Sequence, residues 1–288
     1  GTGGASVRFV SSLGSSQALL KFEKVRFDAA NKKAEYFVKI PSVSKDNDTY
    51  FYLLYKRDGA LDGSDKTEVY GDEFKAVYHM KDDPDTSHIK DSTINGNNGT
   101  KKGAGEPAEA DGKVEKAQSF DGSNDYIATA SSADLAPSTA TISFLVKPAA
   151  SQSISSRMIN IQDATNKNYD ISIDKTSYKV IFINWNGASA SVEITSTSAL
   201  SSTEWKLVTI TVGNNNNRIY INGVEEAFSS NNITQPASSV FNIGRHLTNK
   251  WYFNGLIDEV SISNVVRSAA QIKAQYNSLF DTLIKEEL

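Results

Sequence analysis

Apolar and polar residues alternate with a period of two along most of this chain. Successive side chains of a strand point to opposite faces, so the alternation predicts strands at 6–10, 19–27, 34–40 and 49–55. Asn31-Lys32-Lys33, Pro41 and Lys45–Asp48 punctuate them. The pattern resumes at Ala76–Met80, Ala117–Phe120, Ala140–Lys147, Met158–Gln162, Tyr169–Asp174 and Tyr178–Trp185. It continues through Ser191–Ile194, Trp205–Val212, Arg218–Gly223 and Val240–Gly244. Between Lys81 and Lys116 a long polar stretch reads as a surface loop. One segment has helical spacing: Ser268 caps it, and Ile272, Tyr276 and Leu279 form an apolar stripe. Many short strands with a single clear helix predict an all-β sandwich.

The last strand carries the most informative residue. Tyr252–Val266 reads YFNGLIDEVSISNVV, a tight turn at Asn254-Gly255 followed by a strand with two adjacent carboxylates in an apolar run. Burying such a carboxylate is costly unless it is paired, hydrogen-bonded or bound to a cation, which singles out Asp258. Strict alternation places Glu259 on the opposite face.

Composition narrows the class. With 288 residues, 39% of them apolar, the chain is long enough for one large or two medium domains. A net charge of −4 argues against nucleic acid as the main partner. The absence of cysteine excludes disulfides, thiolate metal sites and a cysteine nucleophile. No apolar run reaches the ~18 residues of a membrane span. The chain opens GTGGAS without an initiating Met, as a processed product or a piece of a longer chain would.

Two resemblances follow from particular residues. AEYFVKIPSV, DTYFYLLY and VYGDEFKAVYHM resemble the second half of a prokaryotic surface-protein domain of unknown function, whose members usually carry further strands before this point. AVYHM, DSTINGNNGT, AQSFDGSNDYI, ATISFLVKP, WKLVTITV with RIYINGVEEA, FNIG and YFNGLIDEVSISNVVRSAAQIKAQYN together resemble the laminin-G-like group of concanavalin A-like jelly rolls. The expected organisation is a partial β-rich domain over 1–75, a jelly roll over 76–280 with a short C-terminal helix, and a tail over 281–288. The tail carries Leu283 and Ile284, apolar residues suited to docking on another domain or subunit.

The laminin-G-like resemblance implies sites. Relatives often hold a structural calcium where the FDG turn meets the last core strand, which here assigns Asp121, Gly122, Asp125 and Asp258. Calcium takes six to eight oxygens, and a Gly turn presents carbonyls well. The alternative is an Asp258 satisfied by backbone N–H groups and an Asx turn at Asp121. Lectin-like modules stack sugars on aromatic rings, which points to Trp185 near a strand end and Trp251 in a loop. Arg157, Tyr169 and Asn184 are their companions, and Trp205 reads as core.

Catalytic signatures are missing. His79, His88 and His246 show no metal-binding pairing, no G-x-S-x-G elbow occurs, and no E-x-D-x-x-E places paired carboxylates on one strand face. The expectation is a non-catalytic module at a cell or virion surface that binds a glycan or a surface protein, with calcium holding its scaffold. The competing expectation is a self-assembling component of a surface layer, filament or virion, with no small ligand.

Overall fold

The computed structural model describes residues 4–15, 17–44, 46–103 and 105–281. The chain divides into two compact units, Gly1–Asp72 with Ser92–Ile94, and Glu73–Asp91 with Asn95–Leu288.

The first unit holds β1 (Arg8–Val10), β2 (Leu19–Leu20), β3 (Phe22–Asp28), β4 (Lys33–Val38), β5 (Tyr52–Leu54) and a one-turn helix α1 (Lys66–Val69). Strands β2-β1-β5 make one small antiparallel sheet, and β3-β4 a hairpin. Val7, Phe9, Leu20 and Phe22 form its core, with Tyr36, Val38, Ile40 and Phe51 packed against them. The Phe9 ring meets those of Phe22 and Tyr36 edge-on at 5.2 and 5.3 Å, the favoured aromatic geometry.

The second unit begins with β6 (Phe74–Tyr78), β7 (His88–Ile89), β8 (Gly99–Lys101), β9 (Ala108–Asp111), β10 (Lys116–Asp121) and β11 (Ile127–Thr129). Next come β12 (Ala140–Pro148), β13 (Ser156–Asp163), β14 (Lys167–Ile173), β15 (Lys179–Asn186) and β16 (Ala190–Ala199). Last are β17 (Lys206–Val212), β18 (Asn217–Ile221), β19 (Val224–Ser229), β20 (Ser239–Ile243), β21 (Asn254–Ser263) and α2 (Ala269–Leu279). A back sheet runs β19-β18-β17-β12-β21-β10-β9, with β6 also on β21; a front sheet runs β16-β15-β14-β13-β20-β11-β8-β7. All pairings are antiparallel. Phe144, Val208, Ile210 and Ile257 of the back sheet join Ile159, Tyr169, Ile171, Phe182 and Phe241 of the front sheet in one core. The result is the all-β jelly-roll sandwich that the alternation and the resemblance predict.

Three local readings change. The stretch 81–116 is not one loop: β7, β8 and β9 lie within it, each too short to show alternation. Asp91 organises it, with Oδ1 accepting from Val77 N at 3.0 Å and Oδ2 from Asn97 N at 2.9 Å. Gly255 lies inside β21 instead of in a turn, at φ 141°, opposite Pro148 of β12. Trp205 is half-buried, with Lys147 Nζ 5.3 Å from its ring, and is not a core residue.

Helix α2 starts as its sequence signals: Ser268 Oγ accepts from Gln271 N, and the Gln271 side chain accepts from Ser268 N at 2.9 Å. Such a capping box satisfies two otherwise orphaned donors. Ser268→Ala is expected to cost about 1 kcal/mol of stability in urea unfolding. Leu283 and Ile284 lie outside the described residues.

Candidate functional site

The front sheet has a core face and an outer face, and the outer face is polar at its centre. Residues opposite one another in an antiparallel ladder share a face. Asn242 of β20, Asn160 of β13, Asp170 of β14, Ile183 of β15 and Glu193 of β16 form one such row. The row beside it is Val240, Gln162, Asn168 and Trp185. Asn242, Asn160, Gln162, Asn168 and Asp170 are buried, whereas Trp185, 36% exposed, and Glu193 are open to solvent. Arg157, beside Ser172 on the same face, pairs its Nε with Asp170 Oδ2 at 3.0 Å. Burial pushes the Asp170 carboxyl up, against the pull of Arg157.

The segment from Arg245 to Trp251 is tied to this face. Asn160 Oδ1 accepts from Leu247 N at 3.2 Å, and Asn242 Oδ1 from Arg245 Nε at 3.1 Å. Trp251 sits between Arg157, whose guanidinium lies 4.3 Å from the ring centre, and His246, whose ring meets it edge-on at 4.9 Å. Its carbonyl accepts from Arg157 N at 2.8 Å. Asn249 and Trp251 both have φ of 56°. For a bulky residue that value is strained, and such strain gathers at ligand clamps and active sites. Burial, then Arg157 and Lys250, hold the His246 imidazole down at about 4, so it is neutral at physiological pH.

The expected sugar-binding set therefore divides. Trp185, Trp251 and Arg157 share the outer face or its margin. Tyr169 and Asn184 do not: each sits one residue out of phase and points the other way. Tyr169 is in the core with its hydroxyl donating to Pro137 O at 2.9 Å. Asn184 is fully buried, donating to Asn168 O and Thr234 O and accepting from Thr234 N. Their places on the outer face belong to Asn168, Asp170, Ile183 and Trp185. The alternation around Tyr169 holds the signal, since Asn168-Tyr169-Asp170 reads polar, apolar, polar once Tyr169 is assigned inward.

The expected calcium ligands also part. Asp121 pairs with Asn254 and lies four residues along β21 from Asp258, about 13 Å at strand rise. Asp121 closes its own turn: Oδ1 accepts from Ser123 N and Asn124 N, and Asp125 Oδ2 accepts from Asp121 N. Burial opposes ionisation of Asp121, but these backbone donors hold its carboxyl below the usual range. Burial, then Asp121, pushes Asp125 up. Gly122, at φ 77°, supplies the left-handed position of the turn. Asp258 is fully buried elsewhere, its Oδ2 accepting from Lys113 N and Val114 N at 2.9 Å each. The four residues do not fit a single ion, and no group of three or more His, Cys, Asp or Glu placed to hold a metal occurs among the described residues.

Glu259 does not face away from Asp258 as alternation requires. The ladder with β12 slips between Ser143 and Leu145, and Glu259, at φ 49°, occupies the resulting β-bulge. Both carboxylates end up buried, and Glu259 Oε1 meets His79 Nδ1 at 2.8 Å. Burial, then the Glu259 charge, pushes the Asp258 carboxyl well up.

The comparisons agree with this architecture. Residues 121–273, just over half the chain, match the family model for the laminin-G-like domain of the concanavalin A-like lectin/glucanases superfamily. Domain 4 of an extracellular arabinanase from Geobacillus stearothermophilus, solved with arabinotriose, is 25% identical, with a TM-score of 0.55 over 70% of this chain and 97% of that one. The binding domain of Paraclostridial Mosquitocidal Protein 1 is 18% identical, with a TM-score of 0.58 over 73% of this chain and 53% of that one. Trypanosoma rangeli sialidase, an enzyme, is 16% identical, with a TM-score of 0.53 over 70% of this chain and 32% of that one. The last two likenesses concern the fold alone. No curated protein matches the chain. On the family match and the sandwich just described, the chain belongs to the concanavalin A-like lectin/glucanases superfamily.

Proposed function

We propose that the second unit is a non-catalytic recognition module of a secreted or surface protein, binding a glycan on the outer face of the front sheet. The observation that carries this reading is the pair of exposed rings at this face and its margin, Trp185 on β15 and Trp251 beside Arg157, with Glu193 open to solvent between the strands' polar ends and the buried amides of β20, β13 and β14 behind them. Flat polar surfaces edged by an aromatic ring suit sugars, which offer hydroxyls at their rim and apolar C–H faces for stacking. The arabinanase domain solved with arabinotriose supports the same class of ligand. The non-catalytic part of the reading is supported by how the buried carboxylates are engaged. Asp258 and Glu259 are buried under backbone and His79, and Asp170 is tied to Arg157.

A glycan array, followed by calorimetry on its best hit and on an arabino-oligosaccharide, tests the reading. Trp185→Ala removes the stacking ring from an exposed position and is expected to weaken binding up to about tenfold, taking a stacking contact as worth about 0.5–1.5 kcal/mol, as aromatic pairs are. An array with no hit would sink the proposal.

A second role, in assembly or in holding a partner protein, finds support in the first unit. Leu19, Tyr50, Leu53 and Tyr55 are exposed there, and β5 pairs only with β1 among the described residues. Sedimentation across concentrations tests self-association: a single monomeric species throughout would remove the self-assembly form of this role.

A further inference from the structure

Trp185 and Trp251 stand at the two ends of a diagonal across the outer face of the front sheet. Arg157 of β13 lies opposite Ser172 of β14, which lies opposite Ile181 of β15. Trp185 is four residues further along β15. Two interstrand spacings of about 4.8 Å, with four residues at about 3.3 Å each, set Arg157 and Trp185 about 16 Å apart. The Trp251 ring belongs to the Arg157 end: the guanidinium lies 4.3 Å from its centre, and the Trp251 carbonyl accepts from Arg157 N.

Both rings are held by the fold. Trp185 lies within the ladder of β14, β15 and β16, opposite Asn168 and Ala190. Trp251 is fixed by the Arg157 guanidinium and meets the His246 ring edge-on at 4.9 Å. Each still leaves over a third of its surface open, 36% for Trp185 and 37% for Trp251. Between them, Ile181 and Ile183 share the outer side of β15 with Trp185 and are half-buried, while Val180 and Phe182 turn to the core. The floor between the rings is thus partly apolar.

A fixed separation between two rings acts on ligand length. A sugar ring with its linkage advances an extended chain by about 5 Å, one and a half residues of strand, so about 16 Å is three to four steps. A monosaccharide or disaccharide reaches one ring only. A longer chain reaches both, and its second contact is intramolecular, which raises affinity without any new kind of contact.

We propose that this face binds linear oligosaccharides of at least four sugar rings, laid diagonally over β13, β14 and β15 from Trp251 to Trp185. The inference rests on the glycan-binding reading above and goes one step further, to the length and shape of the ligand. Trp185 and Trp251 are its two specificity determinants, and neither ring alone distinguishes a long chain from a short one.

Linear xylo-, cello- and arabino-oligosaccharides of two to eight rings, with the length series of the best array hit, test it by calorimetry on the full chain. In whichever series binds, affinity is expected to rise about tenfold from the disaccharide to the pentasaccharide and to level off beyond the hexasaccharide. Trp185→Ala and Trp251→Ala are each expected to remove most of that rise, while the disaccharide, which keeps the remaining ring, stays within about threefold. Melting curves accompany both variants, and Trp185→Ala, at an exposed site, carries the test alone should Trp251→Ala unfold. A disaccharide that binds as tightly as the hexasaccharide would overturn the two-ring span and leave the glycan-binding reading standing. So would a Trp185→Ala variant that loses the same factor at every length. No binding by any member of any series would overturn both.

Discussion

Gly255→Ala is expected to destabilise the second unit by about 2–6 kcal/mol, the sum of a strained dihedral at about 1–3 and a forced overpacking at about 1–3. Gly255 lies inside β21 at φ 141°, a conformation that L side chains rarely adopt. A methyl group there would stand 2.7 Å from Lys147 O, 2.7 Å from Pro148 Cα and 2.9 Å from Ala149 N. All three are backbone atoms of β12 or just beyond it, so no side-chain rotation relieves the clash. β12 and β21 are neighbours at the centre of the back sheet and line the core with Phe144, Ile257 and Ile262. Separating their ends therefore disturbs the core itself. Urea unfolding followed by tryptophan fluorescence measures the change. A loss below about 0.5 kcal/mol, the range of ordinary surface substitutions, would mean that the two strands do not approach this closely.

The second large effect concerns Asp258, where two substitutions are expected to act in opposite directions. Asp258→Ala leaves the Lys113 and Val114 N–H groups without their acceptor, each at a cost of about 1–3 kcal/mol. Asp258→Asn keeps an oxygen for those donors and removes the charge. The Asp258 carboxyl is pushed well up by burial and by Glu259, with His79 pulling the other way, and its Oδ1 has no hydrogen-bond partner among the described residues. A raised folded-state pKa gives stability that is fully present below the unfolded value of about 3.9 and is lost as pH rises toward the folded value. Asp258→Asn is therefore expected to match the parent protein below pH 4 and to exceed its melting temperature increasingly above it. Melting both proteins from pH 3 to 8 checks this. An Asn variant that is less stable at pH 7 would show that the ionised carboxylate is doing useful work, for instance on a cation. The same melts with excess calcium and with a chelator are expected to coincide.

Much of the fold was readable in the chain because alternation is a local property. The longer strands of the sandwich, the Ser268 cap and the core-lining Ile, Val and Phe residues follow from neighbours a few positions apart, whereas β7, β8 and β9 are too short to show the alternation. Alternation misleads where the ladder departs from its regular period. The bulge at Glu259 depends on how β12 slips against β21, and no residue near Glu259 announces it. Gly255 looked like a turn because Asn-Gly favours turns, whereas the close approach of Pro148 is a tertiary fact. The site was half legible for the same reason. Trp185, Trp251 and Arg157 attracted attention by residue type. Tyr169 and Asn184 lie on the strands adjoining Trp185, but phase sends them to the core. The polar row of Asn242, Asn160 and Asp170 draws on a strand about eighty residues further along the chain and exists only once β13 is paired with β14 and β20.

The claim that the outer face of the front sheet is the binding surface is tested most directly by following side-chain amide resonances during titration with the best glycan hit. Asn160, Gln162, Asn168 and Asn242 carry NH₂ groups that report locally in a two-dimensional nitrogen–proton spectrum. The indole N–H of Trp185 and the amides of these residues, which lie behind it, are expected to move together and to saturate at one stoichiometry, while the amides of Asn217 and Asn222 stay in place. Perturbations confined to the back sheet or to the first unit, with these signals unmoved at saturation, would contradict it.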